Sequence, residues 1–300
     1  MAITTSDDKN LRGLLYIVGQ NSTPFLNMIG GLNGGKTVYS DSFALSVEAT
    51  GSAPSQNTQS EDTAAAAGTP TTYAKSQNFN VTQLMKYDAQ LTYKKANAPG
   101  MITGLNNTEA ISSPDGLDFQ KEMALLQFAR DLDFSFIQGS YVGPTTSATN
   151  MKTRGILEAI TTNDIDASAA VITKAMIDSL MESMYGNGAV LVNPVFVVPA
   201  NQKVAISDLY GKAPDSRNVG GMNIQELETD FGNVGIVLEP NMPSDEVLLA
   251  DLSVINPAFK ADISWNDVAQ VGASVGGFWY SEVGLDYGPE IYHGKISNLI

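Results

Sequence analysis

Residues 114–139 read PDGLDFQKEMALLQFARDLDFSFIQG. Leu117, Leu125, Phe128, Leu132 and Phe136 recur at helical spacing, which gives one face of a helix an apolar stripe. Ser113-Pro114-Asp115 supplies a capping hydroxyl and then a proline at the first helical position, and Gly139 supplies a stop. The pattern predicts a helix over 112–138. At 1.5 Å per residue it runs roughly 37 Å, longer than the average globular helix. Such a helix is expected to be a backbone element along which other parts pack, with Leu125 and Phe128 facing the body.

Downstream of it the pattern becomes α/β. Thr173–Tyr185 reads as a helix with Met176, Ile177, Leu180, Met181 and Met184 on one stripe, ended by Gly186. The methionines suit core packing, with an adaptable binding groove as the alternative. Val195–Val198 is a continuous apolar strand, and Pro199–Tyr210 a second helix ended at Gly211. Strands follow at Val234–Leu238 and Val247–Ala250. Short strands are expected around Phe259–Ile263, Val275–Val283 and Ile291–Ile296. No internal repeat has a fixed period.

Upstream, the chain reads as arms. Residues 1–36 hold a short apolar stretch (Leu11, Leu14–Val18), then Thr23-Pro24-Phe25-Leu26-Asn27-Met28-Ile29, then Gly30-Gly31-Leu32-Asn33-Gly34-Gly35. The glycine run is expected to bend as a hinge. Residues 37–47 alternate, with Tyr39, Phe43, Leu45 and Val47 on one face and Ser40, Ser42, Ala44 and Ser46 on the other. Asn78–Lys94 alternates more loosely through Phe79, Val81, Tyr87, Leu91 and Tyr93. Between the two lies 48–77, nearly free of large apolar residues, which cannot bury itself. Two strands around a polar excursion predict an extended hairpin arm that needs something to lie on. A disordered loop is the alternative.

Composition removes whole classes of chemistry. The chain has 300 residues, 43% of them hydrophobic and 16% charged, the balance of a chain with a sizeable core. It has no cysteine, so neither disulfides nor thiolate chemistry. One histidine, His293, rules out a multi-histidine metal site. No apolar run reaches the roughly 18 residues of a membrane span. The start, MAITTSDDKN, lacks the apolar core of a signal peptide, which predicts a soluble protein of the compartment where it is made. Net charge is −15. Residues 1–100 hold seven acids and seven bases, and 101–300 hold 25 acids and ten bases. A dedicated phosphate-binding face is therefore not expected.

Residues 30–37 match the phosphate-loop pattern, with Lys36 for the terminal phosphate and Thr37 for magnesium. Val247-Leu248-Leu249-Ala250-Asp251 resembles the apolar strand that ends in a magnesium-binding aspartate. The motif needs a helix directly after the lysine, and Val38–Val47 has strand period instead. Asp164 with Asp166, or Glu226, Glu228 and Asp230, could hold calcium or act as acid and base. A solvated acidic face explains them better. His293 has no Gly-x-Ser-x-Gly elbow to serve. Trp265 and Trp279 lack basic neighbours in sequence, and read as core or interface anchors rather than base-stacking platforms. No catalytic constellation emerges. Arms that cannot fold alone imply a symmetric assembly in which they cross neighbouring subunits.

The order of these parts resembles the major capsid protein of tailed double-stranded DNA phages, the Hong Kong 97-type fold. Thr23–Ile29 resembles the "TPF" arm segment of one branch of these proteins. Residues 37–94 resemble the extended loop (E-loop) hairpin, and Pro114–Gln138 the spine helix of the peripheral domain. Arg154-Gly155-Ile156-Leu157 is similar to the "RGI" entry to the axial domain, and Val195–Tyr210 to that domain's strand-helix unit. Thr229-Asp230-Phe231-Gly232-Asn233-Val234 is similar to its "TDFG" strand approach. Tyr280–Leu285 and His293-Gly294-Lys295-Ile296 resemble the closing strands. The resemblance covers the chain from about Leu11 onward.

It implies an α+β fold laid out as an N-terminal arm (1–36), an E-loop hairpin (37–98), a peripheral domain with the spine helix 114–138 (99–152), an axial α/β domain (153–261), and closing strands returning to the peripheral domain (262–300). It implies a structural subunit, with no catalytic, cofactor or metal site. Hexamers and pentamers would close an icosahedral or elongated shell, the phage head, around DNA that is held without sequence-specific contacts. The implied partners are separate scaffolding, portal and cement proteins, with no membrane, and synthesis in the bacterial cytoplasm. Some relatives crosslink a loop lysine to an asparagine. Residues 48–74 contain no lysine and Lys75 is the first, so non-covalent stabilisation is expected. An encapsulin-like compartment subunit shares the implied fold, and a phosphate-loop nucleotide-binding protein is the reading from another class.

Overall fold

The computed structural model of the chain describes residues 22–49, 54, 56, 58–65, 73–96, 116–146, 149–210, 226–269 and 272–300. The apolar stretch Leu11–Val18, the helix start Ser113-Pro114-Asp115, Gly211 and much of 48–77 lie outside these residues.

The elements in chain order are α1 (Pro24–Met28), β1 (Lys36–Thr37), β2 (Ser42–Ala49), α2 (Glu61–Ala65), β3 (Lys75–Val81), β4 (Gln83–Thr92), α3 (Tyr93–Ala96), α4 (Leu117–Gln138), α5 (Ile156–Ala159), β5 (Asp164–Ala170), α6 (Lys174–Gly186), β6 (Pro194–Val198), α7 (Ala200–Tyr210), β7 (Glu226–Thr229), β8 (Gly232–Leu238), β9 (Val247–Asp251), β10 (Asn256–Asp267), β11 (Ser274–Asp286) and β12 (His293–Leu299), with a 3-10 turn at Glu290–Tyr292. They form a six-stranded sheet ordered β5-β12-β9-β6-β8-β7, a four-stranded sheet ordered β1-β10-β11-β4, and the two-stranded ribbon β2-β3.

The six-stranded sheet divides two cores. Along β6, Val195 and Val197 join one core while Phe196 and Val198 join the other. In β9, Leu248 and Ala250 face the first core and Val247 and Leu249 the second. A strand covered on both faces has no polar side, which is why both segments read as unbroken apolar runs. The second core is closed by α6 and α7 through Ile177, Leu180, Met181, Met184 and Ile206. The methionine stripe is thus core packing. Thr173 caps α6, its hydroxyl accepting the Met176 amide at 3.3 Å.

The first core is built on α4. Phe128, Leu132, Phe136 and Ile137 are buried against Phe25, Leu26, Leu157, Val197, Leu248, Phe259 and Val283. Each large side chain buried this way contributes about 1.5–3 kcal/mol. Leu117 and Leu125, placed on the same stripe by their spacing, are only half-buried. The burial runs along the C-terminal half of the helix. Beyond Gly139 the chain doubles back. Gly155 donates its amide to the Gly139 carbonyl at 2.8 Å, and a Cβ on Gly155 would sit 2.4 Å from the Gly139 nitrogen. Two backbones crossing this closely exclude any side chain.

Several expectations are corrected. The run 37–47 splits: Lys36 and Thr37 pair in parallel with Ala258 and Phe259, while Ser42–Ala49 pairs with β3. Of its proposed apolar face, Phe43 and Leu45 are buried but Tyr39 is 92% exposed and Val47 58%. The second run is two strands broken at Thr82. β3 stays in the ribbon, whereas β4 leaves to pair with β11 from Gln83 to Thr92. Period-2 spacing fixes which face a residue takes but not which sheet its strand joins. The glycine run is a packed turn, not a hinge. Gly31 and Gly34 donate to the Leu26 and Gly30 carbonyls at 2.8 and 3.0 Å, and Gly35 has φ +124° with a Cβ position 2.3 Å from the Pro257 carbonyl oxygen. The segment before it is no free arm either, since Phe25, Leu26 and Ile29 are buried in the subunit's own first core. The strands expected to be short are long, 12 residues in β10 and 13 in β11. In β10 the exposed polar end Asn266–Asp267 continues the ladder after the apolar alternation stops, whereas both ends of β11 are buried. The tail 262–300 divides: β11 joins the four-stranded sheet, and β12 lies between β5 and β9 in the six-stranded one.

Candidate functional site: the joint where ribbon, helix and sheets meet

The β2–β3 ribbon is fixed at its base. Lys260 on β10 bridges Asp41 at 2.5 Å and Glu282 on β11 at 2.6 Å. Those two hydrogen-bonded carboxylates hold its ammonium well above the ordinary lysine range. The Thr82 amide donates to the Asp41 carbonyl at 2.8 Å. Asn80 is fully buried and fully used. Its Nδ2 donates to the Leu285 and Arg154 carbonyls at 2.7 and 3.2 Å, and its Oδ1 accepts the amides of Arg154 and Val81, each at 2.9 Å. One side chain therefore joins the ribbon, the entry to α5 and β11. Away from the base the ribbon changes character. Val47 and Phe79 are about half exposed or more, as is the neighbouring Tyr73. A two-stranded ribbon is marginal by itself, and this one presents apolar side chains and outer ladder edges to its surroundings.

The N-terminal half of α4 is held by the tryptophans. Trp265 and Trp279 are directly paired across β10 and β11, edge to face with centroids 5.5 Å apart. Trp279 Nε1 donates to the Lys121 carbonyl at 3.0 Å, and the Lys121 ammonium lies 4.6 Å from the Trp265 ring centre. They anchor the helix to the sheet; Trp265 has its cation from its own chain.

At the other end of α4 two acids meet. Asp133 and Glu239, from α4 and the turn after β8, are both fully buried. Each accepts an amide from the start of α1: Leu26 N reaches Asp133 Oδ1 at 2.8 Å and Phe25 N reaches Glu239 Oε2 at 2.9 Å. Thr23, the residue in cap position, makes no such bond. Asn241 satisfies the remaining oxygens, donating Nδ2 to Asp133 Oδ2 at 2.7 Å and its amide to Glu239 Oε1 at 3.0 Å. The two carboxyl groups also lie within hydrogen-bonding reach of each other. Burial, and then the neighbouring Asp133 charge, push Glu239 up to about 7; burial also raises Asp133. No sequence motif announces this pair, 106 positions apart. The one signal is Asp133 itself, four residues from Ala129 and Ile137 on the apolar side of the helix.

The residues singled out from sequence are scattered. Lys36 lies in β1 with Nζ 2.6 Å from Asp286, and a strand, not a helix, surrounds it. Asp251 is buried, which opposes its charge, but the amides of Val192, Asn193 and Ser253 hold it below the usual carboxylate range. Its oxygens are occupied by its own backbone and offer no magnesium site like that of a phosphate loop. His293 is fully buried. Its Nδ1 accepts the Asp251 amide at 3.3 Å, so Nε2 carries the proton and donates to the Tyr287 carbonyl at 2.7 Å. Burial lowers its pKa to about 4. It is a neutral structural group between β9 and β12. Asp164 meets Lys295 and Ser297, Asp166 meets Ser168 and Asn298, and Glu226, Glu228 and Asp230 lie along the exposed edge at β7. Among the described residues no cluster of acids and histidine could hold a metal ion, and no helix is long and apolar enough to cross a membrane.

Comparison with known proteins agrees with this architecture. The chain is similar to the capsid subunit of cyanophage A-1(L), with 11% identity, a TM-score of 0.69 and 96% of each chain covered. It is similar to the capsid protein of a native GTA particle, with 16% identity, a TM-score of 0.62, and 96% of this chain and 93% of that one covered. A holo-SrpI encapsulin complex from Synechococcus elongatus PCC 7942 also shares the fold, with 10% identity, a TM-score of 0.58, and 96% and 93% covered. No curated protein matches the sequence. The family described as SU10 major capsid protein matches residues 2–299. With a match over nearly its whole length, the chain belongs to the SU10 major capsid protein family and is a structural subunit of a capsid shell, not an enzyme.

Proposed function

We propose that this subunit builds the head of a tailed double-stranded DNA phage, as hexamers and pentamers that close an icosahedral or elongated shell. The family match across residues 2–299 carries the reading. In this assignment the ribbon β2–β3 with its outer loop is the E-loop that lies on a neighbouring subunit. Its half-exposed Val47 and Phe79 favour that role, because such side chains are stabilised by a partner surface. The helix α4 is the spine of the peripheral domain, together with the four-stranded sheet. The six-stranded sheet with α6 and α7 is the axial domain. Its strand β12 brings the end of the sequence into that unit.

The acidic excess of residues 101–300 suits a container whose DNA must slide without sticking. Scaffolding, portal and cement functions fall to separate proteins, and the subunit is made in the host cytoplasm and ends in the virion.

The test is electron microscopy of the protein expressed with its neighbouring genes. Closed shells several hundred Å across, or five- and six-membered rings with ribbons crossing subunit boundaries, are the expected result. Shells filled with a cargo protein would favour the compartment reading instead. A discrete monomer or dimer under all conditions would overturn both.

A further inference from the structure

Two buried carboxyl groups in contact cannot both be ionised without a compensating cation. The charged groups around this pair supply none. α1 (PFLNM) and β8 (GNVGIVL) contain no titratable residue. On α4, Arg130 donates to Gln127 and Asp131 accepts from Tyr87 and Gln127. On α5, Glu158 is engaged by Arg154 and the Tyr141 amide. In the turn after β8 Asn241 donates to both carboxyl groups, and farther along Glu246 faces Lys295, whose ammonium is engaged by the Leu157 carbonyl and Asp164. Among the described residues, the pair is stabilised by amides and by a proton.

We propose that Asp133 and Glu239 form a proton-operated clasp, in which one shared proton holds the segment 24–29 in the subunit's core and its loss frees that segment. While the proton is present, Glu239 donates to Asp133, and both still accept the Phe25 and Leu26 amides. When it leaves, two buried negative charges face each other. The repulsion is relieved only by admitting water between α4 and the turn 239–241, which are the two elements α1 is fastened to. The residues that open are the ones whose amides the pair holds. The clasp works within one subunit and goes beyond the shell reading, so its test does not depend on assembly.

The experiment is hydrogen exchange with mass spectrometry on the full-length protein at about pH 6 and about pH 8.5, corrected for the intrinsic exchange rate, with the buried strand 194–198 as internal reference. With a clasp pKa near 7, protection of peptides spanning 24–29 should fall by about 10-fold at the higher pH while the reference is unchanged. In Glu239→Gln, which is neutral at every pH, protection should not change with pH. The double variant Asp133→Asn with Glu239→Gln, neutral at both positions, gives the same readout if Glu239→Gln alone fails to fold. Equal corrected protection of 24–29 in the wild type at both pH values overturns the proposal. So does a variant that loses protection with pH as the wild type does.

Discussion

His293 gives the structure a second proton-linked group, with the opposite sign. Its pKa is near 4 in the fold against 6.5 for an ordinary histidine. Below pH 6.5 the unfolded chain takes up a proton that the folded chain does not, so stability falls with pH until the folded histidine also protonates near 4. Protonation also places an N–H on Nδ1 opposite the Asp251 amide, turning an acceptor into a clash of donors. Between pH 7 and pH 5 the loss comes to about 2 kcal/mol. Glu239 works the other way. Its folded pKa near 7 lies above the ordinary 4.5, so it stabilises most at low pH and loses that contribution as pH rises through 7. Over the same interval it returns about 2 kcal/mol on acidification. The two nearly cancel, and the wild type should show a flat profile. Glu239→Gln removes one side of the balance. In that variant, urea unfolding followed by the emission of the two tryptophans should show stability lower by about 2 kcal/mol at pH 5 than at pH 7. Adding His293→Asn should flatten the profile again at a lower overall stability. An unchanged unfolding midpoint in Glu239→Gln between the two pH values would refute the assignment of His293 as a buried neutral group.

Phe128→Ala should cost about 3–5 kcal/mol, because the ring is fully buried and packs edge to face on Tyr87 at 5.5 Å; half-buried Leu125→Ala should cost about 1 kcal/mol, and equal losses in melting experiments would mean that the buried face of α4 is misassigned. Gly35→Ala should cost about 2 kcal/mol or more, since φ is +124° and the new methyl meets the Pro257 carbonyl; wild-type melting in this variant would contradict the packed turn. Lys36→Ala should cost about 1 kcal/mol, as an ion pair with a half-exposed lysine, and should leave nucleotide retention on a filter unchanged from the wild type; retention that Lys36→Ala abolishes would revive the phosphate loop.

The parts legible in the sequence are those whose signal is local. Leu132 and Phe136 marked the apolar stripe of α4, Thr173 and the methionines marked α6, and Val195–Val198 marked a strand covered on both faces. The polar run after Val47 marked the break between the two strands of the ribbon, β2 and β3. The parts not legible depend on partners far away in sequence. Nothing around Thr82 distinguishes a strand that continues from one that changes sheet, because alternation proceeds through it. The glycines at 30–35 have the same composition whether they flex or pack, since a missing Cβ permits both freedom and close approach. Asp133 stands out only by its place on the apolar side of α4, and Glu239 looks like an ordinary surface acid until the turn after β8 folds onto that helix. His293 could be named, but only its two backbone partners reveal that it is neutral and structural.

The place of β12 constrains how this protein can be made. It is the latest strand in chain order, yet it lies inside the six-stranded sheet, with Lys295 opposite Asp164 on one side and Leu248 on the other. A ribosome that has delivered everything up to β11 has produced a sheet with a gap between β5 and β9, and both flanking edges are open ladders. Pairing across such a sequence separation is slow, and the gap exposes the apolar floor formed by Leu180, Met184 and Leu249. A truncated or stalled chain therefore remains an unfinished, aggregation-prone intermediate that quality control can recognise. Only a chain that includes β12 closes its sheet, so a copy lacking that strand meets its neighbours with two open edges.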